Sequence, residues 1–211
     1  MAKIKELLIN LDEERKVNII NSAMKEFSRN SFQQASTNII VKDAGISKGL
    51  LFHYFGTKAK LYEYLEYFSM KTVTENIVEK MDWKQEDIFL RLKEISMIKF
   101  KLFQKYPYLA EFFLKIYENK TAEEILDSYP DASLELYSEI YIRNIDYSLF
   151  KEGVDVEKAI DIIRWTLEKH NDEFRKKIKR EDLAFDYKTV EQELFEYIDI
   201  LKKCFYKEGV L

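Results

Sequence analysis

One cysteine, two prolines and five glycines in 211 residues exclude several fold classes at once. Cys204 alone cannot form an intrachain disulfide, so no disulfide framework is expected and a reducing cytoplasm is the natural setting. So few glycines and prolines do not suit a turn-rich β protein, which leaves helices as the expected elements. No stretch approaches the roughly 18 consecutive apolar residues of a membrane-spanning helix. The opening MAKIKELLINLDEERK lacks the apolar core and cleavage site of a signal peptide. Chemical motifs are scarce too: there is no glycine loop to cradle a phosphate, no HExxH, no paired CxxC and no GxSxG. The two histidines, His53 and His170, are too few and too far apart in sequence for a zinc site. Nothing pairs a nucleophile with a base, so the expectation is a non-enzyme with no metal and no cofactor.

Charge, by contrast, is plentiful, at 34% of residues, and the net value of −4 hides an uneven distribution. Residues 1–60 hold 10 Lys and Arg against 6 Asp and Glu, a surplus of +4, while the remainder holds 24 against 32. A nucleic-acid face depends on the local field and not on the sum. The surplus is modest, and ordinary solvated lysines would explain it about as well.

Three of the five glycines, Gly45, Gly49 and Gly56, fall within Ser36–Lys58. Ahead of that stretch, the spacing predicts a helix from Glu14 to Asn30 with one apolar stripe of Val17, Ile20, Ala23, Met24 and Phe27. The acids Asp12, Glu13 and Glu14 suit its start, and residues 4–11 extend it or pack back as an arm. A second helix, opened by Ser36 and Thr37, is expected to run to Ala44. After a tight turn at Gly45-Ile46-Ser47, a third runs from Lys48 to Tyr54 with Ser47 as its cap. Gly56-Thr57 closes it. Two short helices joined by a three-residue turn containing glycine make a helix-turn-helix, whose second helix fits the DNA major groove.

Ile40, Ala44, Leu51 and Phe55 are expected to point inward. That leaves Lys48, Gly49, Leu50, Phe52, His53 and Tyr54 for the DNA side, with Ser36, Thr37 and Ser47 at the helix starts. Lys48 suits guanine O6 or N7, and Leu50 a thymine methyl. Thr37, Lys42, Tyr54 and Lys58 suit phosphate, which positions without specifying. Free amides at the start of the helix after Gly56 offer a further phosphate contact. Phe52 has an equal claim to be partly core.

Thr37, Ile40, Ala44-Gly45-Ile46-Ser47-Lys48-Gly49, His53-Tyr54-Phe55 and Lys58 together resemble the N-terminal DNA-binding module of tetracycline-repressor-like (TetR family) regulators. The resemblance spans the first quarter of the chain; beyond it only length and helical character agree. Three positions depart from the family pattern. Ser31 stands where glycine is common, so Asn30 or Ser31 is expected to supply any left-handed conformation. Val41 replaces a usual alanine, and Phe52 replaces a frequent tyrosine, removing a hydroxyl that would reach phosphate. The resemblance implies a double-stranded DNA operator and an inducer cavity for a small-molecule effector among the later helices.

Beyond the module, a long helix is predicted from Lys58 to Glu79 with Leu61, Leu65 and Phe68 on its apolar stripe. Met81-Asp82-Trp83 marks a break, and a helix follows to Lys105. Pro107 restarts a helix through Tyr117, Thr121 with Glu124 forms a capping box, and Tyr129-Pro130 makes a turn. Asp131 is expected to cap a helix reaching Phe150, with Gly153 ending it. Residues 100–150 hold 12 of the chain's 31 aromatics. Phe100, Phe103, Phe112 and Phe113, with Tyr117, Tyr137, Tyr141 and Trp165, are the candidates to line an apolar pocket with hydroxyl handles. A well-filled helical core would need the same residues.

From Asp155 to Arg180, Ile160, Ile163, Leu167, His170 and Phe174 alternate three and four apart, the spacing of a helix seam. From Asp186 to Tyr206, Val190, Leu194, Tyr197, Leu201 and Cys204 repeat it. The two helices can pair with each other, but their extra apolar residues favour a four-helix interface with a second copy, so a homodimer is expected. His170 is expected as a satisfied interfacial residue. The fold class is therefore all-α, with a helix-turn-helix domain at 1–57 and a larger helical ligand-binding and dimerisation domain at 58–211. The expected function is a ligand-responsive transcription regulator, most simply a repressor released by a small apolar or amphipathic molecule. The alternative is a small-molecule sensor or partner adaptor on the same fold without operator recognition.

Overall fold

The computed structural model describes residues 11–119, 134–181 and 186–209. Nine α-helices lie among them, and they include no strand. In order they are α1 (Glu13–Arg29), α2 (Thr37–Asp43), α3 (Lys48–Phe55), α4 (Lys58–Lys80), α5 (Ile88–Lys105), α6 (Leu109–Asn119), α7 (Leu134–Tyr141), α8 (Val156–Glu181) and α9 (Tyr187–Phe205). A short 3-10 turn, Tyr147–Leu149, follows α7. The predicted capping box at Thr121 and Glu124, the Tyr129-Pro130 turn, the Asp131 cap and most of the 4–11 arm lie outside the described residues. No described helix is long and apolar enough to cross a membrane.

The chain divides into two compact units that do not follow sequence order. The first holds the described residues up to Asn76 together with those from Lys101 to residue 119; the second holds Ile77–Phe100 and the described residues from Leu134 onward. The described part of the expected DNA-reading segment, residues 11–57, falls within the first. Helices α4 and α5 each carry residues of both units.

In the first unit α1 is the central element. Asp12 caps it by accepting a hydrogen bond from the Arg15 amide at 2.9 Å, and Glu13 and Glu14 sit in its first turn, where the helix dipole favours negative charge. Ile20, Ala23, Met24 and Phe27 are buried as the stripe required; Ile19 joins them, and Val17 is only half-buried. That face packs on α2 and α6 and shares a core with Ile40, Leu51, Phe55, Leu61, Leu65 and Phe112. Burying a side chain such as Phe27 contributes roughly 1.5–3 kcal/mol. Glu13 also binds Lys105 at 2.8 Å, and that bond holds its carboxyl below the ordinary range.

The α1–α2 connection corrects one expectation. Neither Asn30 nor Ser31 is left-handed: Asn30 has φ −126°, and Asn144 is the only described non-glycine residue with positive φ. Ser31 instead builds a tight turn, its hydroxyl accepting from the Gln34 amide at 3.3 Å while its carbonyl accepts from the Ala35 amide at 2.9 Å. Such serine-centred turns need no positive φ.

The second unit is built on α8 and α9, whose inward faces bury Ile160, Ile163, Leu167, Ile198 and Leu201 against Ile88, Phe89, Phe150 and Tyr206. Asp87 caps α5 through the Phe89 amide at 2.8 Å, accepts from the Tyr206 hydroxyl at 3.1 Å and pairs with Lys202 at 3.2 Å. The predicted helix to Phe150 ends early, at Tyr141. Arg91, fully buried, donates to the carbonyls of Glu139, Ile140 and Arg143 at 2.8–3.1 Å, claiming the end of α7. Asn144 then turns left-handed at φ 55°, and Asp146 caps the 3-10 turn. Phe150 leaves in extended conformation and makes an isolated bridge with Tyr206.

Candidate nucleic-acid interface

The turn between α2 and α3 follows from Gly45. At φ 66° it occupies the left-handed region open to glycine, and the Ile46 amide reaches back to the Val41 carbonyl at 3.0 Å. That is the long bond of a glycine-terminated helix, and it redirects the chain within three residues. Ser47 then caps α3, its hydroxyl accepting from the Leu50 amide at 3.1 Å. Leu51 and Phe55 are buried and anchor the helix; Gly56, at φ 72°, ends it.

With those two residues inward, the opposite face of α3 is open. Ser47, Lys48, Gly49 and His53 are exposed, while Leu50, Phe52 and Tyr54 are half-buried. The Lys48 ammonium lies 6.0 Å from the centre of the Phe52 ring, so Phe52 serves both readings, supporting a cation from a partly covered position. His53 meets Tyr54 edge to face at 5.4 Å. Gly49 has an ordinary helical backbone, and a Cβ there would meet nothing nearer than the Ser47 hydroxyl at 3.9 Å. Neither conformation nor packing requires glycine at this position, although glycine disfavours a helix by about 1 kcal/mol relative to alanine. A close approach by another molecule is the remaining physical use for it.

Helix α2 lies alongside. Ile40 and Ala44 are buried as expected, Lys42 is exposed, and Ser36 and Thr37 are half-buried. Ser36 stands at the cap position but its hydroxyl makes no capping bond. The cap comes from another helix: Glu26, buried on α1, accepts the Ser36 amide at 2.8 Å. Sequence reasoning missed Glu26, although an acid three residues after Ala23 on a buried stripe was a visible signal. Ile39, 54% exposed on α2, was also missed.

Lys58 differs from its expected role. Its ammonium donates to the carbonyls of Ala35 at 2.9 Å and Gln33 at 3.3 Å and lies 4.7 Å from the Phe32 ring centre. It closes the α1–α2 turn from within. Thr57 caps the start of α4 through the Lys60 amide at 3.2 Å.

The eight aromatic candidates do not form one group. Phe112 is fully buried in the first unit's core, edge to face with Tyr62 at 5.4 Å, and Phe103 and Phe113 are half-buried on the same core. Phe100 stacks on Tyr187 at 5.4 Å, and Tyr141 packs on the second unit's core. The side chains of Tyr117 and Tyr137 lie outside the described residues. Trp165 is 55% exposed and belongs with the seam residues.

The seam itself needs correction. Ile160, Ile163, Leu167 and Leu201 are buried in the second unit's own core, because α8 and α9 first satisfy each other. Leu194 is half-buried against the same core. The apolar residues left exposed are Ile162 and Trp165 on α8 and Tyr197 and Ile200 on α9. Beside them lies a groove of about 590 Å³ lined by Trp165, His170, Phe174, Tyr197 and flanking charges.

The model of the family "Bacterial regulatory proteins, tetR family" matches residues 19–65, which contain α2, α3 and most of α1. Solved structures with this fold include SmeT, the repressor of the Stenotrophomonas maltophilia multidrug efflux pump SmeDEF. It is 14% identical, with 93% of this chain and 92% of that one covered and a TM-score of 0.61. The fatty acid degradation regulator FadR from Bacillus halodurans is 21% identical over 92% and 98% of the two chains, with a TM-score of 0.59. A TetR family transcriptional regulator from Chloroflexus aurantiacus J-10-FL is 21% identical over 96% and 98%, at 0.56. No curated protein matches the chain. The helix-turn-helix resemblance read from Ser36–Lys58 is thus borne out, and the fold of the whole chain is TetR-like.

Proposed function

We propose that this chain is a DNA-binding transcription regulator that acts as a homodimer and answers to a small apolar or amphipathic molecule, most simply as a repressor released from its operator. The observation that carries the proposal is α3: anchored by Leu51 and Phe55, it leaves Lys48, Gly49 and His53 bare on the opposite face. A helix of that length with a cationic, sterically open edge fits a major groove, where Lys48 meets guanine and Leu50 a thymine methyl. The proposed division of labour is DNA reading within residues 1–57, with effector binding and dimerisation in 58–211.

A dimer would present two such helices to half-sites about 34–36 Å apart, one turn of DNA. The exposed stripe of Ile162, Trp165, Tyr197 and Ile200 supports the second copy. The effector is assigned to the aromatic-rich helices, with Phe103 and Phe113 as half-buried walls. It shifts the equilibrium only through unequal affinity for two states. No catalytic role is proposed.

Selection of duplexes from a random pool, followed by binding measurements with wild type and Lys48→Ala, tests the reading. Wild type is expected to enrich a two-fold symmetric site, and Lys48→Ala to bind that site and random duplex alike. Failure to enrich any sequence would favour the sensor or adaptor reading, which the internal engagement of Lys58 supports by removing one expected phosphate contact.

A further inference from the structure

Helix α5 carries a cation where its pattern calls for an apolar side chain. Ile88, Leu92, Ile95 and Leu102 are all buried along one stripe of the helix. Lys99 fills the gap in that series, four residues after Ile95 and three before Leu102. A half-buried lysine ordinarily lays its stem along the core and lifts its ammonium into water. Here burial pushes the ammonium's pKa below its ordinary value, so the charged end itself is withdrawn from water. Among the described residues nothing answers that charge, by hydrogen bond, ion pair or ring contact. Glu191 on α9 meets α5 at Ser96, one turn earlier, and accepts from its hydroxyl at 3.2 Å. Tyr187 donates to the Ser96 carbonyl at 2.6 Å and stacks on Phe100 at 5.4 Å. These groups satisfy one another and leave the lysine out.

We infer that Lys99 is the seat of an anionic ligand group: the effector carries one carboxylate on an apolar body, and the Lys99 ammonium binds it. The inference rests on the effector reading above and narrows it to one chemical class. An unpaired charge withdrawn from water costs free energy that folding alone does not recover, and leucine at the same position would not incur it. A bound anion gives the charge a use. The ammonium has already lost much of its water, and its attraction for a carboxylate is stronger there than in solvent. One ammonium answers one negative charge, whereas a doubly charged phosphate would bring a second that stays unpaired. The neighbouring stripe of α5 and the Phe100–Tyr187 stack suit a hydrocarbon or ring behind the carboxylate. A neutral analogue would cover Lys99 without answering it, so the site selects against such molecules.

Matched pairs of acid and alcohol test it: laurate with dodecanol, and 2-naphthoate with 2-naphthalenemethanol. Titration calorimetry uses the full chain, refolded from urea to strip any bound molecule. Wild type is expected to bind at least one acid about tenfold or more tighter than its alcohol, as a hydrogen bond to a charged group implies. Lys99→Met keeps the length and removes the charge; it is expected to lose that preference while binding the alcohol as well as wild type does. Without ligand, its urea midpoint is expected to equal or exceed that of wild type. A lower midpoint would mean that the chain itself answers the lysine, and would overturn the proposal. So would an acid preference that survives in Lys99→Met. Wild type binding each acid and its alcohol alike also overturns it, while leaving the effector reading in place. Binding of none of the four probes counts against both.

Discussion

Replacing Lys58 by methionine separates two roles that the sequence alone merges. The ammonium donates to the Ala35 and Gln33 carbonyls and rests on the Phe32 ring. A hydrogen bond from a charged donor contributes roughly 1.5–3 kcal/mol and an exposed cation–π contact about 0.5–1. Lys58 is half-buried, so the lower ends apply, and their sum is about 2 kcal/mol. In a chain of this size each kcal/mol moves the melting temperature by about 2–4 °C, so the variant should melt about 4–8 °C lower. Each phosphate neutralised adds about 0.9 to the slope of log affinity against log salt. An ammonium committed to the turn contributes little of that, and the slope should stay within about 0.3 of wild type. Calorimetry and fluorescence anisotropy over a salt series measure both quantities. An unchanged melting temperature with a slope shallower by about one would show that Lys58 reaches phosphate and that the turn does not need it.

Gly49→Ala should raise stability by roughly 0.5–1 kcal/mol, since the added Cβ meets open space in a helix, while weakening duplex binding by at least about tenfold; a stabilised variant with wild-type affinity would remove the close-approach role. Arg91→Met strips the donors from the Glu139, Ile140 and Arg143 carbonyls and should cost about 3 kcal/mol or more, read as a lower urea midpoint. Burial pushes the Tyr187 phenol up to about 12 and raises those of Tyr64 and Tyr206 as well. The folded state therefore holds these groups neutral after the unfolded chain begins to ionise near pH ~10. Stability should be intact below that point and fall as pH rises through it, by up to about 1.4 kcal/mol per pH unit for each tyrosine. Tyr187→Phe should flatten the decline in denaturation midpoints, and an identical decline would count against it.

The helix-turn-helix was legible because its decisions are local. Gly45, Ser47 and Gly56 turn, cap and end helices within a few residues of themselves, and Leu51 and Phe55 sit one turn apart. Where an outcome depended on distant groups, the sequence was silent. The helix after residue 133 stops at Tyr141 because Arg91, far earlier in the chain, takes its last carbonyls. Ser36 is capped from Glu26 on another helix, and Lys58 is claimed by carbonyls more than twenty residues back. The seam spacing of α8 correctly marked an apolar face. It could not say that Ile163 and Leu167 serve the chain's own core while Ile162 and Trp165 remain outside. Aromatic enrichment was equally mute between pocket and core, and Phe112 proved to be core.

The most direct test of the central claim is the affinity of the wild-type protein for duplex DNA across a salt series. A pair of cationic recognition helices seated on phosphates predicts a steep linear fall of log affinity with log salt, several units in slope, and tighter binding to the selected site than to random sequence at every point. A flat response, equal for both duplexes, would contradict it.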